Sequence, residues 1–111
     1  HLRTVDLSQD MVLVEVDETL KRAYLPHSGV ISLVVKLARG EHVQIAMVGR
    51  DSIFGAFSAI GDTVALNSAM VLMPGAASAI DIDQLRNAAS QSAGLRAALL
   101  RLMLSIAPPF H

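Results

Sequence analysis

The stretch Gly29-Val30-Ile31-Ser32-Leu33-Val34-Val35-Lys36-Leu37-Ala38-Arg39-Gly40-Glu41-His42-Val43-Gln44-Ile45-Ala46-Met47-Val48-Gly49 decides how this chain is read. Ile31, Leu33, Val35 and Leu37 alternate with Ser32, Val34 and Lys36. Val43, Ile45 and Met47 alternate in the same way with His42, Gln44 and Ala46. A period of two is the side-chain period of a β-strand, and here it stands on both sides of the Gly40 turn. The pattern predicts an antiparallel hairpin whose alternating apolar residues form one buried face.

Upstream, residues 11–14 form a brief apolar run closed by Asp17-Glu18. Residues 22–25 form another, ending at Pro26, which cannot donate to a ladder and so marks a strand edge or end. Downstream, Gly49-Arg50-Asp51 turns the chain. Residues 55–60 are small and apolar and fit a turn or two of helix, with Gly61-Asp62 as its stop. Residues 64–73 and 77–82 read as a last pair of strands around Pro74-Gly75. Asp81 stands three residues before Gln84, a capping-box spacing, and a short helix starts near Leu85. A longer helix is expected over residues 92–106, ending before Pro108. The class is mainly β, with a short internal helix and C-terminal helices. We expect a β domain over residues 1–90 and a separate helix over residues 91–111.

A chain of 111 residues has room for one domain, and 52% apolar residues supply a core. The formal net charge is −1 and the nine Lys and Arg are scattered, which argues against nucleic-acid binding by this piece alone. The absence of cysteine removes disulfides, thiolate nucleophiles, zinc fingers and iron–sulfur clusters together. A cytoplasmic location is the default expectation. The start His1-Leu2-Arg3-Thr4 lacks a signal-peptide pattern. The apolar stretch 95–110 is broken by Arg96, Arg101 and Pro108-Pro109, short of the roughly 20 residues of a membrane span. Both chain ends read as cuts in a longer protein.

Catalytic patterns are not found. The histidines are His1, His27, His42 and His111, without the spacing of a metal site. A cupin-like metal enzyme would need His27 and His42 to meet inside a barrel; solvent-facing positions at strand ends are the simpler reading. Ser28 beside His27 reads as a turn residue, not a nucleophile. The carboxylates Asp17, Glu18, Asp51, Asp62, Asp81 and Asp83 fall at turns or a helix start. No enzyme is expected. Gly49, Gly55 and Gly61 bracket the short internal helix. Turn formation explains them, and a ligand cradle at the helix N-terminus is the sharper alternative.

The segment Tyr24-Leu25-Pro26-His27-Ser28-Gly29-Val30-Ile31, then Gly40-Glu41-His42-Val43 and Met47-Val48-Gly49-Arg50-Asp51, resembles the sensor domain of Crp/Fnr-type bacterial transcription regulators. Ile53-Phe54-Gly55-Ala56-Phe57 is similar to the start of their phosphate-binding cassette, and Asp81-Ile82-Asp83-Gln84-Leu85-Arg86 to the short helix after the roll. The resemblance implies an antiparallel double-stranded β-helix, the jelly-roll-like cyclic-nucleotide-binding β-roll, capped by a long helix through which subunits dimerise. It also implies a parent protein that reads DNA through a helix-turn-helix domain, which this chain lacks.

One departure bears on function. Cyclic-nucleotide binders of this family carry a Glu after the cassette Gly for the ribose, and an Arg before a Ser/Thr-Ala pair for the phosphate. Here Ala56 takes the first position. Aligning Ser68-Ala69 with the pair puts Asn67 in the second. The expected ligand pocket is thus a degenerate cassette of Phe54, Gly55, Ala56, Phe57, Asn67, Ser68 and Ala69, without a cofactor and with cAMP and cGMP binding weak or absent. A purely structural module is the alternative. Leu95, Leu99, Leu102, Met103 and Ile106 fall on one helical stripe, which predicts a homodimer through the C-terminal helix.

Overall fold

The computed structural model describes residues 2–61 and 63–103. Its strands are β1 (Arg3–Leu7), β2 (Val12–Val14), β3 (Arg22–Pro26), β4 (Val30–Lys36), β5 (His42–Val48), β6 (Ser68–Met73) and β7 (Gly75–Asp81), and its helices α1 (Ala56–Ile60), α2 (Ile82–Ser90) and α3 (Ala93–Met103). Two antiparallel sheets face each other, one in the order β1-β7-β3 and the other β2-β6-β4-β5. This is the mainly β roll that the sequence predicts, with helices gathered at its end.

The hairpin β4–β5 forms, pairing Ile31 with Val48 and Lys36 with His42. Its single apolar face does not run the whole length. A bulge falls between Leu33 and Val34 and breaks the alternation, because one extra residue changes which side chains share a face. Ile31, Leu33 and Val48 are buried, whereas Leu37, Val43 and Ile45 stay at least 40% exposed. The core takes the base of the hairpin and leaves its tip to solvent.

Strand β1 has no counterpart in the sequence reading. Its side chains are mostly exposed and only Leu7 is fully buried, so no apolar alternation announced it. Backbone pairing with β7, from Arg3 with Ala79 to Leu7 with Gly75, holds it in place. The two strands expected around Pro74-Gly75 form, but they do not pair with each other. β6 joins β2 and β4 in one sheet while β7 joins β1 and β3 in the other. The dipeptide is a corner between sheets, not a hairpin turn. Gly75 makes that corner possible, because a Cβ there would lie 2.3 Å from the Ser28 carbonyl oxygen. Pro26 ends the edge strand β3, as its missing N–H requires.

Asp81 is the N-cap residue of α2, but its side chain makes no capping hydrogen bond. Its carboxylate lies 3.9 Å from Arg22 Nε instead, a weak exposed pair, so the Asp81 half of the expected capping box is not made. The core is rich in small residues. Ala23, Ala56, Ala59, Ala65, Ala69, Ala77 and Ala89 are buried beside Leu7, Ile31, Val48, Val71 and Ile82. Such side chains let the two sheets and α1 approach closely, but they fill little volume. Among the described residues no helix is long and apolar enough to cross a membrane.

Candidate ligand site

The entry to α1 is fixed by β3. Tyr24 and Phe54 exchange backbone hydrogen bonds of 2.9 and 2.8 Å, and their rings stack with centroids 6.4 Å apart. Gly55 follows with φ +104°, where a Cβ would stand 3.0 Å from Ala23 Cα. Both the left-handed backbone and the close approach call for glycine. The chain then winds into α1, five residues long with no acidic residue in its first turn. The far end of α1 is closed by Gly61, whose N–H donates to the Phe57 carbonyl at 2.7 Å. There Arg86 of α2 donates to the carbonyls of Ser58 at 2.8 Å and Gly61 at 2.5 Å. A cation at the C-terminal carbonyls of a helix is favourably placed.

The opposite wall, residues 63–67, is tied to the loop before β3. Leu20 N–H donates to Thr63 O at 2.8 Å, Asp17 N–H to Ala65 O at 2.9 Å, and Ala65 N–H to Glu18 O at 2.8 Å. Between these walls lies a cavity of about 260 Å³. Its lining comes from Leu20, Leu33, the segment Ile53 to Ser58, the segment Val64 to Asn67, and Met103 of α3. Small residues at Gly55, Ala56, Ser58 and Ala65 leave this space open.

Of the expected pocket residues, Phe54, Gly55, Ala56, Phe57 and Asn67 line the cavity. Ser68 and Ala69 do not. Ser68 Oγ accepts from the Val16 N–H at 3.1 Å, and Ala69 is fully buried in β6. The sequence reading missed Leu20, Ile53, Ser58, Ala65 and Met103 as lining residues. Leu33 carried a signal, since the β4 alternation already pointed it inward. Among the described residues no lining side chain is charged. Arg86, the arginine that touches α1, sits at the wrong end of it to meet a phosphate near Gly55.

In the C-terminal stripe, Leu99 is only 2% exposed, and Leu95, Leu102 and Met103 pack against the domain's own core. Ile106 lies outside the described residues. The exposed apolar side chain of α3 is Leu100, at 47%. Of the histidines, His27 Nε2 is 2.6 Å from Ser78 Oγ, and Ser28 Oγ accepts from the Ala76 N–H at 3.0 Å. His42 begins β5, exposed and paired with Lys36. Among the described residues no three metal-ligating side chains cluster.

A roll of this topology, with a cavity between a short glycine-led helix and the start of β6, has the architecture of a cyclic nucleotide-binding domain. The chain belongs to the cyclic nucleotide-binding domain family, whose model matches residues 4–92. No curated protein matches it. Similar solved structures include FixK2 from Bradyrhizobium japonicum, 14% identical over 94% of this chain and 51% of that one, with a TM-score of 0.80. The sensor domain of the transcriptional regulator DNR from Pseudomonas aeruginosa is 15% identical over 94% of this chain and 70% of its own, TM-score 0.75. The regulatory domain of Toxoplasma gondii PKA with cAMP is 15% identical over 78% of this chain and 33% of its own, TM-score 0.70. The chain thus spans about half the length of FixK2. At these identities the likeness establishes the fold alone, one shared by the transcription regulators and the kinase regulatory domain.

Proposed function

We propose that this chain is the non-catalytic sensor and dimerisation module of a Crp/Fnr-like transcription regulator, with a cassette that does not bind cAMP in the usual way. One observation carries the reading. Ala56 and Asn67 both line the cavity, at the positions where the family resemblance asks for a carboxylate and a guanidinium, and among the described residues no charged side chain replaces them. Each charge-assisted hydrogen bond contributes about 1.5–3 kcal/mol. Losing both weakens binding by roughly two to four decades, at about 1.4 kcal/mol per decade. Calorimetric titration with cAMP and cGMP up to millimolar concentration tests this: no saturable heat is expected, and micromolar binding would refute it.

The roll over residues 1–90 then senses, and the helix from residue 91 carries the signal to a second copy. Met103 would couple the two, because it belongs to α3 and yet lines the cavity. DNA contact falls to a helix-turn-helix domain of the parent regulator, which places the protein in the cytoplasm. Since Leu99 is buried in its own domain, the informative dimer variant is Leu100→Glu. It is expected to give a monomer by light scattering with an unchanged circular-dichroism spectrum and a melting temperature that no longer depends on protein concentration. An unchanged dimer mass removes α3 from the interface.

A further inference from the structure

We infer that the cavity beneath α1 takes an uncharged, apolar small molecule, an assignment that rests on the sensor reading above and names its ligand class. Three features of the cavity converge on it. Its lining contains no charged side chain among the described residues, and of these only Ser58 and Asn67 are polar. Among the described residues no buried side-chain nitrogen or oxygen lacks a hydrogen-bond partner, so no buried side chain demands a polar ligand. An anion seated here would lose its hydration without a countercharge, which apolar surroundings penalise heavily. The third feature is the mouth. Phe57 and Leu66 line the cavity and are nevertheless 42% and 64% exposed. Large apolar side chains held at the rim of an open apolar cavity gain stability when a ligand covers them.

Size sharpens the class. At about 260 Å³ the cavity lies just under the range of about 300–1,000 Å³ usual for drug-sized ligands, which suits a compact molecule with few polar atoms. The larger cleft near α2, about 990 Å³, is different in kind. It is lined by Glu18, Lys21, Arg22, Asp81 and Asp83, charges of both signs that an apolar ligand would have to desolvate. The apolar site is the one under α1.

A matched pair of fluorophores tests the assignment on the whole chain: N-phenyl-1-naphthylamine, and the same ring system bearing a sulfonate, 1-anilinonaphthalene-8-sulfonate. The uncharged probe is expected to bind saturably at one site, and the sulfonate at least about tenfold more weakly. Ala56→Leu, which fills the cavity, should abolish the site. Leu66→Arg, at an exposed rim position, should bring the sulfonate to parity or better; it decides the matter should Ala56→Leu lose its circular-dichroism signature. Multi-site binding insensitive to both variants, equal binding of the two probes to the unaltered chain, or no binding of the uncharged probe overturns the inference. Displacement of the probe by micromolar cAMP also refutes the reading of a cassette that does not bind cAMP in the usual way. Absence of probe binding together with absence of cAMP binding refutes the ligand class alone.

Discussion

The corner at Gly29 and Gly75 and the cavity beneath α1 are built on opposite terms. At the corner the backbone strands approach more closely than any side chain allows, with a Gly75 Cβ position 2.3 Å from the Ser28 carbonyl oxygen and a Gly29 Cβ position 2.6 Å from that of Met73. At the cavity the walls stand apart, leaving about 260 Å³ unfilled. They are held there by strand bridges and by an arginine at the helix end. The difference separates two kinds of specification. The tight corner decides that the chain crosses from one sheet to the other, and so decides the roll. The open cavity makes no such crossing, and small side chains leave its space unfilled.

The contrast breaks most visibly at Gly75. Replacing it by Ala forces two backbone segments apart, and overpacking of this kind destabilises by about 3 kcal/mol or more. A fall in melting temperature of more than roughly 10 °C is expected for a domain of this size. A fall of only a degree or two would show that the corner yields easily and is not what fixes the roll.

Gly55→Ala comes next. A side chain at φ +104° meets Ala23 and Leu20 at about 3 Å, and the left-handed backbone itself disfavours Ala by about 1–2 kcal/mol. The expected loss is thus about 2 kcal/mol, read by thermal or chemical unfolding. Arg86→Ala should follow. It removes two donors from the carbonyls of Ser58 and Gly61 on a half-buried side chain, for about 1–2 kcal/mol. Equal losses at Gly75 and Arg86 would erase the distinction between a wall held by closeness and one held by a cap.

These elements were unequally legible. The β4 half of the hairpin's base could be read because its period of two coincides with burial of Ile31 and Leu33, whereas on β5 the buried residue is Val48 and not Val43, Ile45 or Met47 of the alternating set. The hairpin's tip could not, because a bulge is a property of strand pairing that no local pattern encodes. β1 was invisible for a related reason: a strand with a single buried residue, Leu7, has no apolar period, and only its partner β7 calls it into being. In the cavity, Ala56 and Asn67 were found through resemblance and are brought together as lining residues. Met103 was read as an interface residue, since a helical stripe shows which face is apolar and not what covers it. That face turns out to be covered, at Leu99, by the domain's own core.

The smallest effect on stability is expected where the functional consequence is large. Leu66 is 64% exposed, and among the hydrogen bonds that hold its segment, those of Thr63 and Ala65 are made by backbone atoms. A side-chain change there leaves those bonds in place. Leu66→Arg should therefore shift stability by less than about 0.5 kcal/mol, as surface substitutions generally do. The same change places the first cation at the rim of a cavity lined without charge. An unaltered melting curve combined with a reversed preference between charged and uncharged probes would show that ligand class and fold are specified by different residues. A large stability loss would show the reverse, that the open region is as much a part of the roll's framework as the glycine corner.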